Sequence, residues 1–133
     1  MFGKAIPVLR VTDLEIALRY YEETLGFALN WKQEYFASVS RGNCTIFFCV
    51  GDQGHAGTWV WIGMPDVGQL REEFPNKGAV VRNPPTNYPR AYEMQISDPD
   101  GHVLRFGSGP LRGQPFNEFL DMRGKLWPVS DLA

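Results

Sequence analysis

Two neighbouring tryptophans are the residues of this chain whose type and spacing most directly suggest a binding surface. Trp59 and Trp61 stand two positions apart in the strand-like run of residues 58–63, so both side chains should point to one face of a sheet. Paired indoles on a sheet face can form an aromatic wall for a planar or polycyclic ligand. They can equally serve ordinary sheet packing or a dimer contact, and both interpretations stay open.

Arg105 is the second candidate, and Glu93 is the residue to weigh beside it. Arg105 follows the turn Asp98-Pro99-Asp100-Gly101, which opens the last predicted strand, and Glu93 lies on the strand before that turn. A guanidinium on a sheet face cannot neutralise itself and needs an anion or several acceptors. Either the ligand is acidic, or Glu93 satisfies Arg105 internally.

The remaining reactive side chains suggest no catalytic centre. His55 lies in a glycine-rich linker and is predicted to be solvated, whereas His102 begins a strand and is predicted to be structural. Cys44 and Cys49 fall at odd spacing in one predicted strand and are expected to be reduced core thiols. The sequence has no glycine-rich phosphate loop, no serine nucleophile elbow and no paired acids of the glycosidase type.

Composition limits the partners of the protein. The chain has 133 residues, 44% hydrophobic content and a net charge of -2, which predicts one domain without disulfides. The chain has no excess of Lys and Arg over Asp and Glu, so its charge does not suggest binding to nucleic acid or to an anionic membrane surface. No apolar run reaches the roughly 20 residues of a membrane helix, and no leader pattern is visible, so a cytoplasmic location is expected. Small molecules or proteins remain as partners.

The first half of the chain predicts a β-α-β-β-β order. Thr12 or Asp13 should cap a helix that ends at Gly26, and Gly42 should form a hairpin turn. Alternation in the first strand places Val8 and Arg10 on the same face as Ile6, and Leu9 and Val11 on the other face. The expected strands are residues 5–11, 27–33, 35–40 and 44–50, and the helix extends to about residue 25.

The second half repeats this layout. Asp66 follows Trp59 by seven positions, as Asp13 follows Ile6, and each acid opens a helical pattern. Pro75 should stop the second helix. The expected strands are residues 58–63, 79–82, 91–97 and 102–107. Beyond them, an apolar tail predicts a docked arm with a short helix around residues 116–123.

The run from Asp98 to Phe106 and the run from Ile6 to Leu14 resemble the last and first strands of the vicinal oxygen chelate superfamily. This superfamily includes glyoxalases, extradiol dioxygenases and bleomycin-resistance proteins. The resemblance implies an α+β fold in which two βαβββ modules form a curved mixed-sheet groove. It places a single domain at residues 1–108, with modules at about 4–50 and 57–108, and leaves residues 109–133 as a C-terminal extension.

The resemblance also implies where a metal would bind. Metal-using members usually carry His at the position of Ile6 and Glu at that of Arg105; the other two positions fall at Trp59 and at Ile46 or Phe47, depending on the register of the hairpin turn. None of these side chains suits a divalent metal. We therefore expect no metal, no cofactor and no catalytic residue. The predicted ligand-binding residues are Trp59, Trp61, Arg105, Glu93, Ile6, Val8, Arg10 and Ile46.

The leading hypothesis is a metal-free protein of the bleomycin-resistance type. It would sequester an aromatic or antibiotic-like ligand in the groove of a homodimer, without turnover. One alternative is a glyoxalase-like or dioxygenase-like enzyme with a displaced metal site, using ligands such as His102, Glu93 or Glu34. The other is a protein-interaction module that uses Trp59, Trp61 and the C-terminal arm.

Overall fold

A computed structural model of the chain describes residues 1–116, 118–120 and 126–128, and it divides into two compact units. The first unit contains residues 1–60 and 98–102, and the second contains residues 61–97 and the described residues from 103 onward. Each unit follows the predicted βαβββ order. In the described ranges, no helix has the length and apolar character needed to cross a membrane.

The helices and strands follow one another in the order strand, helix and three strands, twice, and two further strands come after them. The first set is β1 (Val8–Arg10), α1 (Leu14–Arg19) with a π-helical continuation (Tyr20–Thr24), β2 (Ala28–Lys32), β3 (Phe36–Arg41) and β4 (Cys44–Cys49). The second set is β5 (Trp59–Gly63), a 3₁₀ turn (Val67–Gln69), α2 (Leu70–Asn76), β6 (Val80–Asn87), β7 (Tyr92–Ser97) and β8 (Val103–Ser108), followed by β9 (Glu118–Leu120) and β10 (Leu126–Pro128).

The helix of the first unit begins where the sequence predicts. Of the two candidate caps, Asp13 is the one used: its carboxylate accepts a hydrogen bond from the backbone N–H of Ile16 at 3.1 Å. The chain leaves the helix at Gly26, whose φ of 75° lies in the left-handed region that favours glycine. The apolar side of α1 and its continuation, including Leu18 and Tyr21, is buried.

The first sheet has the strand order β1-β4-β3-β2, with β1 parallel to β4 and the other pairs antiparallel. One face is apolar and buried, and its side chains include Leu9, Val39 and Phe48. The opposite face carries Val8 and Phe47, which are directly opposite each other across the β1–β4 pair and only half-buried. Alternation along β1 and through Ile46, Phe47 and Phe48 of β4 therefore produces one core face and one open face.

The turn of residues 98–102 belongs to the first unit, although the sequence places it in the second module. The Asp98 carboxylate accepts a hydrogen bond from Tyr21 Oη at 2.7 Å and two more from backbone N–H groups of its own turn. His102 is fully buried; its Nδ1 accepts from the N–H of Thr58 at 3.0 Å. Nε2 therefore carries the proton and donates to the carbonyl of Arg10 at 2.6 Å. These contacts give His102 a structural role.

The second sheet has the order β10-β9-β6-β7-β8-β5. Asp66 caps the 3₁₀ turn that leads into α2 by accepting from Gly68 N–H at 2.9 Å. The buried ring of Phe74 in α2 packs edge-on against Phe106 of β8, which fixes the helix to one face of the sheet. Pro75 lies inside α2 rather than before its end, and the helix continues for one residue to Asn76.

The end of the chain departs from the prediction. The helix expected around residues 116–123 is wrong over Glu118–Leu120, which form β9, while residues 121–123 lie outside the described residues. β9 pairs with β6 at Thr86, opposite Phe119. This pairing is possible because β6 is twice as long as the predicted strand and runs through Pro84 and Pro85 to Asn87. The pairing of β6 with β7 has two register shifts along its length.

The buried carboxyl of Asp98 predicts a pH dependence of stability. Burial raises its pKa above the ordinary value of 3.8, although its hydrogen bonds act in the opposite direction. The folded protein then holds a proton at Asp98 more tightly than the unfolded chain does. The stability contributed by this proton is fully present below the unfolded-state pKa, and it is lost as the pH rises through the raised folded-state pKa.

We therefore expect the free energy of unfolding of the wild type, minus that of Asp98→Asn, to be largest below about pH 4 and to fall as the pH rises. Urea unfolding across about pH 3 to 7 measures this difference. Asp52→Asn, at an exposed loop position, is the matched control for the loss of one carboxylate. A wild-type advantage that grows with pH would contradict the assignment.

Candidate functional site

One face of the second sheet gathers charged and aromatic side chains from three strands. Glu93 of β7 is directly opposite Gly107 of β8, and Gln95 is opposite Arg105 two positions further along the ladder. Their side chains point away from α2, because the alternate residues Met94 and Phe106 fill the core on the helix side. Glu93 and Arg105 therefore share the open face of the sheet.

The carboxylate of Glu93 is the centre of this face. The side chain is only 6% exposed, and each of its oxygens has one strong partner. Oε1 accepts from Arg105 Nη2 at 2.6 Å, and Oε2 accepts from Trp61 Nε1 at 2.7 Å. The internal pair weighed from the sequence is thus formed. The indole donates to the second oxygen, and the guanidinium contacts the carboxylate through a single nitrogen, Nη2.

Arg105 has more donors than partners. A guanidinium carries five N–H groups, and Glu93 Oε1 is the acceptor that the structure shows for it. Its Nε is buried and has no acceptor among the residues that the structure describes. The side chain as a whole is nevertheless 40% exposed. Arg105 therefore combines a position at the surface with unused hydrogen-bonding capacity.

Trp61 is held in place by two glycines and by Glu93. A Cβ added at Gly107 would lie 2.5 Å from Trp61 Cζ2, and one added at Gly63 would lie 3.0 Å from Cζ3. The indole therefore lies directly against backbone that only glycine leaves open. Its N–H is fixed by Glu93, yet 56% of the residue remains exposed. Trp59, on the same face of β5 by alternation, is 49% exposed.

Tyr88 adds a hydroxyl near this cluster. Burial raises the pKa of Tyr88 above its ordinary value; Glu93 raises this pKa further, whereas Arg105 lowers it. The side chains of Thr86 and Asn83 lower the pKa by hydrogen bonding to the phenol. The phenol therefore stays protonated at neutral pH and can both donate and accept a hydrogen bond.

The open face of the first sheet carries a separate aromatic cluster. Trp31 of β2 stacks on Phe36 of β3 with ring centroids 5.7 Å apart and an angle of 9° between the planes. Phe47 contacts both rings, with centroid distances of 5.4 Å to Trp31 and 5.6 Å to Phe36. Trp31 and Phe36 are absent from the predicted site. The missed signal was the hairpin joining β2 to β3, whose register is shifted between Leu29 and Trp31.

Four of the predicted ligand-binding residues precede β5 in the first unit, and the prediction is wrong for one of them, Ile46. Ile46 is fully buried on the core side of β4, because alternation turns its neighbour Phe47 to the open face. Of the two registers left open by the sequence, Phe47 is therefore the one opposite Val8. Ile6, Val8 and Arg10 are half-buried, and Arg10 Nε donates to the carbonyl of Gln53 at 3.4 Å.

Comparison with known proteins identifies the family. A family model described as the Glyoxalase/Bleomycin resistance protein/Dioxygenase superfamily matches residues 5–106. The chain belongs to this superfamily. The resemblance inferred from the first and last strands is therefore confirmed. No curated protein matches the chain.

Solved structures of this superfamily share the fold. The bleomycin-binding protein of bleomycin-producing Streptomyces verticillus is 26% identical, with a TM-score of 0.72 over 82% of this chain and 98% of its own. The antibiotic binding protein TnmS3 from Streptomyces sp. CB03234 is 22% identical, with a TM-score of 0.69 over 82% and 97% of the two chains. The bleomycin resistance determinant encoded on the transposon Tn5 is 20% identical, with a TM-score of 0.66 over 83% and 100%. The predicted fold class is confirmed.

The residues at the metal positions of the superfamily do not fit a divalent metal. Ile6, Phe47 and Trp59 offer no coordinating atom, and Arg105 offers a cation that is already paired with a carboxylate. The described parts of the chain contain no group of three or more His, Cys, Asp or Glu side chains that could hold a metal ion. Of the displaced ligands considered from the sequence, His102 uses both ring nitrogens and Glu93 uses both oxygens in hydrogen bonds within the protein.

The close approach of Trp61 to Gly107 predicts the effect of a single methyl group. In Gly107→Ala, the new Cβ would overlap the indole, so Trp61 must move and its hydrogen bond to Glu93 should break. We expect the free energy of unfolding to fall by about 1–3 kcal/mol and the tryptophan emission to shift to longer wavelength.

Urea unfolding followed by fluorescence measures both effects. Gly109→Ala is the matched control, since a Cβ at Gly109 meets nothing within 4 Å and should change neither quantity. Equal stability and emission in the two variants would show that Trp61 does not rest on Gly107.

Proposed function

We propose that the protein binds a small molecule and sequesters it unchanged, as a member of the bleomycin-resistance type, with Trp61 as the stacking surface. The observation that carries this proposal is an indole that is immobilised on one side and more than half exposed on the other. An exposed tryptophan without function would need neither the two glycines beneath it nor a buried acceptor for its N–H. A planar aromatic ligand is the partner that suits such a surface.

The preorganisation of Trp61 favours binding. Immobilising a mobile side chain on ligand binding costs about 0.5–1.5 kcal/mol. In Trp61 this freedom is already lost in the unliganded protein, because Gly107, Gly63 and Glu93 fix the ring from below and at its N–H edge. More of the stacking energy then contributes to affinity.

The relatives support a ligand of antibiotic-like chemistry. The Streptomyces verticillus protein was crystallised with copper(II)-bleomycin, and TnmS3 is described as an antibiotic binding protein. Capture without conversion is supported by the side chains at the metal positions of the superfamily, which are apolar or cationic here. On the first unit taken by itself, the residues that remain predicted ligand contacts are Ile6, Val8, Arg10, Trp59 and, in place of Ile46, Phe47. The homodimer and the cytoplasmic location remain predictions.

Binding of pyrenecarboxamide, a neutral planar probe, tests this proposal through energy transfer from tryptophan to pyrene. We expect stoichiometric binding to the wild type. Trp61→Ala should weaken binding by about tenfold or more, because stacking on an aromatic side chain contributes roughly 1–3 kcal/mol. Trp61→Phe keeps a ring at this position and should retain much of the affinity.

Tyr35→Ala is the matched control, since Tyr35 is an exposed aromatic residue in the first unit, and its affinity should equal that of the wild type. Mass spectrometry after long incubation with each cell-derived ligand that co-purifies should recover the ligand unchanged. Chemical conversion would favour the enzyme alternative. Probe binding that is indifferent to Trp61→Ala would contradict the proposed site, and failure of any aromatic ligand to bind would favour a protein-interaction module.

A further inference from the structure

We infer that the ligand carries an anionic or strongly hydrogen-bond-accepting oxygen group at one edge of its ring system, and that Arg105 binds this group. The inference rests on the proposed function and names the class of ligand that the same site would take: an aromatic acid, or a planar system with an oxygen acceptor such as a carboxylate, a phenolate or a carbonyl. It therefore predicts a preference opposite to that of a cationic drug.

The first step of the argument is the state of Glu93. Its carboxylate is the acidic group of the cluster formed by Trp61, Glu93 and Arg105, but it is almost fully buried, and both oxygens already accept strong hydrogen bonds. Because the Glu93 side chain is only 6% exposed and its oxygens face Trp61 and Arg105, a cationic ligand stacked on Trp61 would have little access to this carboxylate. The negative charge at this site is therefore used within the protein.

The second step is the state of Arg105. It is the charged member of the cluster that reaches the surface, and it engages Glu93 through one nitrogen while its buried Nε has no acceptor among the described residues. A buried donor without an acceptor is unfavourable and rare in folded proteins. A ligand oxygen at the exposed edge of the guanidinium would supply an acceptor for its unused N–H groups while Nη2 stays on Glu93.

The third step is the placement of the two side chains. The Trp61 indole and the Arg105 guanidinium bind the two oxygens of one carboxylate, so the stacking surface and the spare donors are direct neighbours. A guanidinium is planar and suits a carboxylate or a similar pair of oxygens. The site therefore offers a flat apolar surface with a row of donors along one edge, and an aromatic acid has the complementary arrangement.

Three probes that share one ring and differ in charge test the inference: pyrenecarboxylate, pyrenecarboxamide and pyrenylmethylammonium. We expect the wild type to bind the carboxylate at least about tenfold more tightly than the ammonium, since one close charge contact of this kind easily exceeds 1.4 kcal/mol when partly shielded from water. The carboxamide should fall between them. The ratio should narrow as salt is raised to about 0.5 M.

Arg105→Gln should reduce the ratio of carboxylate to ammonium affinity to about threefold or less, and it should weaken binding of the carboxamide less than binding of the carboxylate. Arg71→Gln removes the same charge from the exposed side of α2, on the other face of the sheet, and should keep the wild-type ratio. If Arg105→Gln fails to fold because Glu93 is left buried without its cation, the wild-type ratio and its salt dependence still decide the question.

The outcomes separate this inference from the proposed function. Equal affinity of the wild type for the carboxylate and the ammonium, or tighter binding of the ammonium, would overturn the inference, whereas Trp61-dependent binding of the carboxamide would leave the proposed function standing. The inference would also be overturned if Arg71→Gln lowered the ratio of carboxylate to ammonium affinity as much as Arg105→Gln does. The preference for the carboxylate would then reflect the net charge of the protein alone. Failure of all three probes to bind would overturn both.

Discussion

The buried carboxylate of Glu93 is the interaction on which the candidate site depends. A carboxylate that is removed from water must be paired and hydrogen-bonded, or it would be neutralised or would destabilise the fold. Glu93 meets this requirement with a guanidinium on one oxygen and an indole N–H on the other. As a consequence, Trp61 cannot rotate freely, and Arg105, which contacts Glu93 through one nitrogen, keeps N–H groups that this carboxylate does not use. The rigidity of one side chain and the spare donors of the other follow from the same two bonds.

Much of the fold could be predicted from the sequence because its signals are local. Asp13 and Asp66 cap their helices, Gly26 ends the first helix, and the alternation of apolar residues gives the strands. The failures are cases in which distant pairing decides the structure. The apolar residues near Phe119 suit a helix as well as a strand, and pairing with the long β6 selects the strand.

The candidate site was predictable in part, for a related reason. The family resemblance places Trp59 and Arg105 at ligand positions, alternation adds Trp61 to the face of Trp59, and the neighbouring strand offers Glu93 as a partner for Arg105. The role of Gly107 was not predictable, because a strand glycine gives no sign of which side chain will lie over it. Ile46 and Phe47 differ by one position in register, and a shift of one residue exchanges the two faces of a strand. The cluster of Trp31, Phe36 and Phe47 depends on an irregular β2–β3 pairing that could not be predicted from the sequence.

Among the described residues, each unit has a buried carboxylate that accepts a hydrogen bond from an aromatic side chain, and the difference between the two supports the proposed site. Asp98 accepts from Tyr21 and from two backbone amides, and neighbouring His102 uses both of its nitrogens, so this network is closed and serves to fix the turn. The network of Glu93 ends at Arg105, which reaches the surface with donors unused. If the contact were purely structural, selection would favour an acceptor for each of those donors, because a buried N–H without an acceptor lowers stability. An incomplete polar network beside a rigid exposed indole is instead what a site requires when the missing acceptor arrives with the ligand.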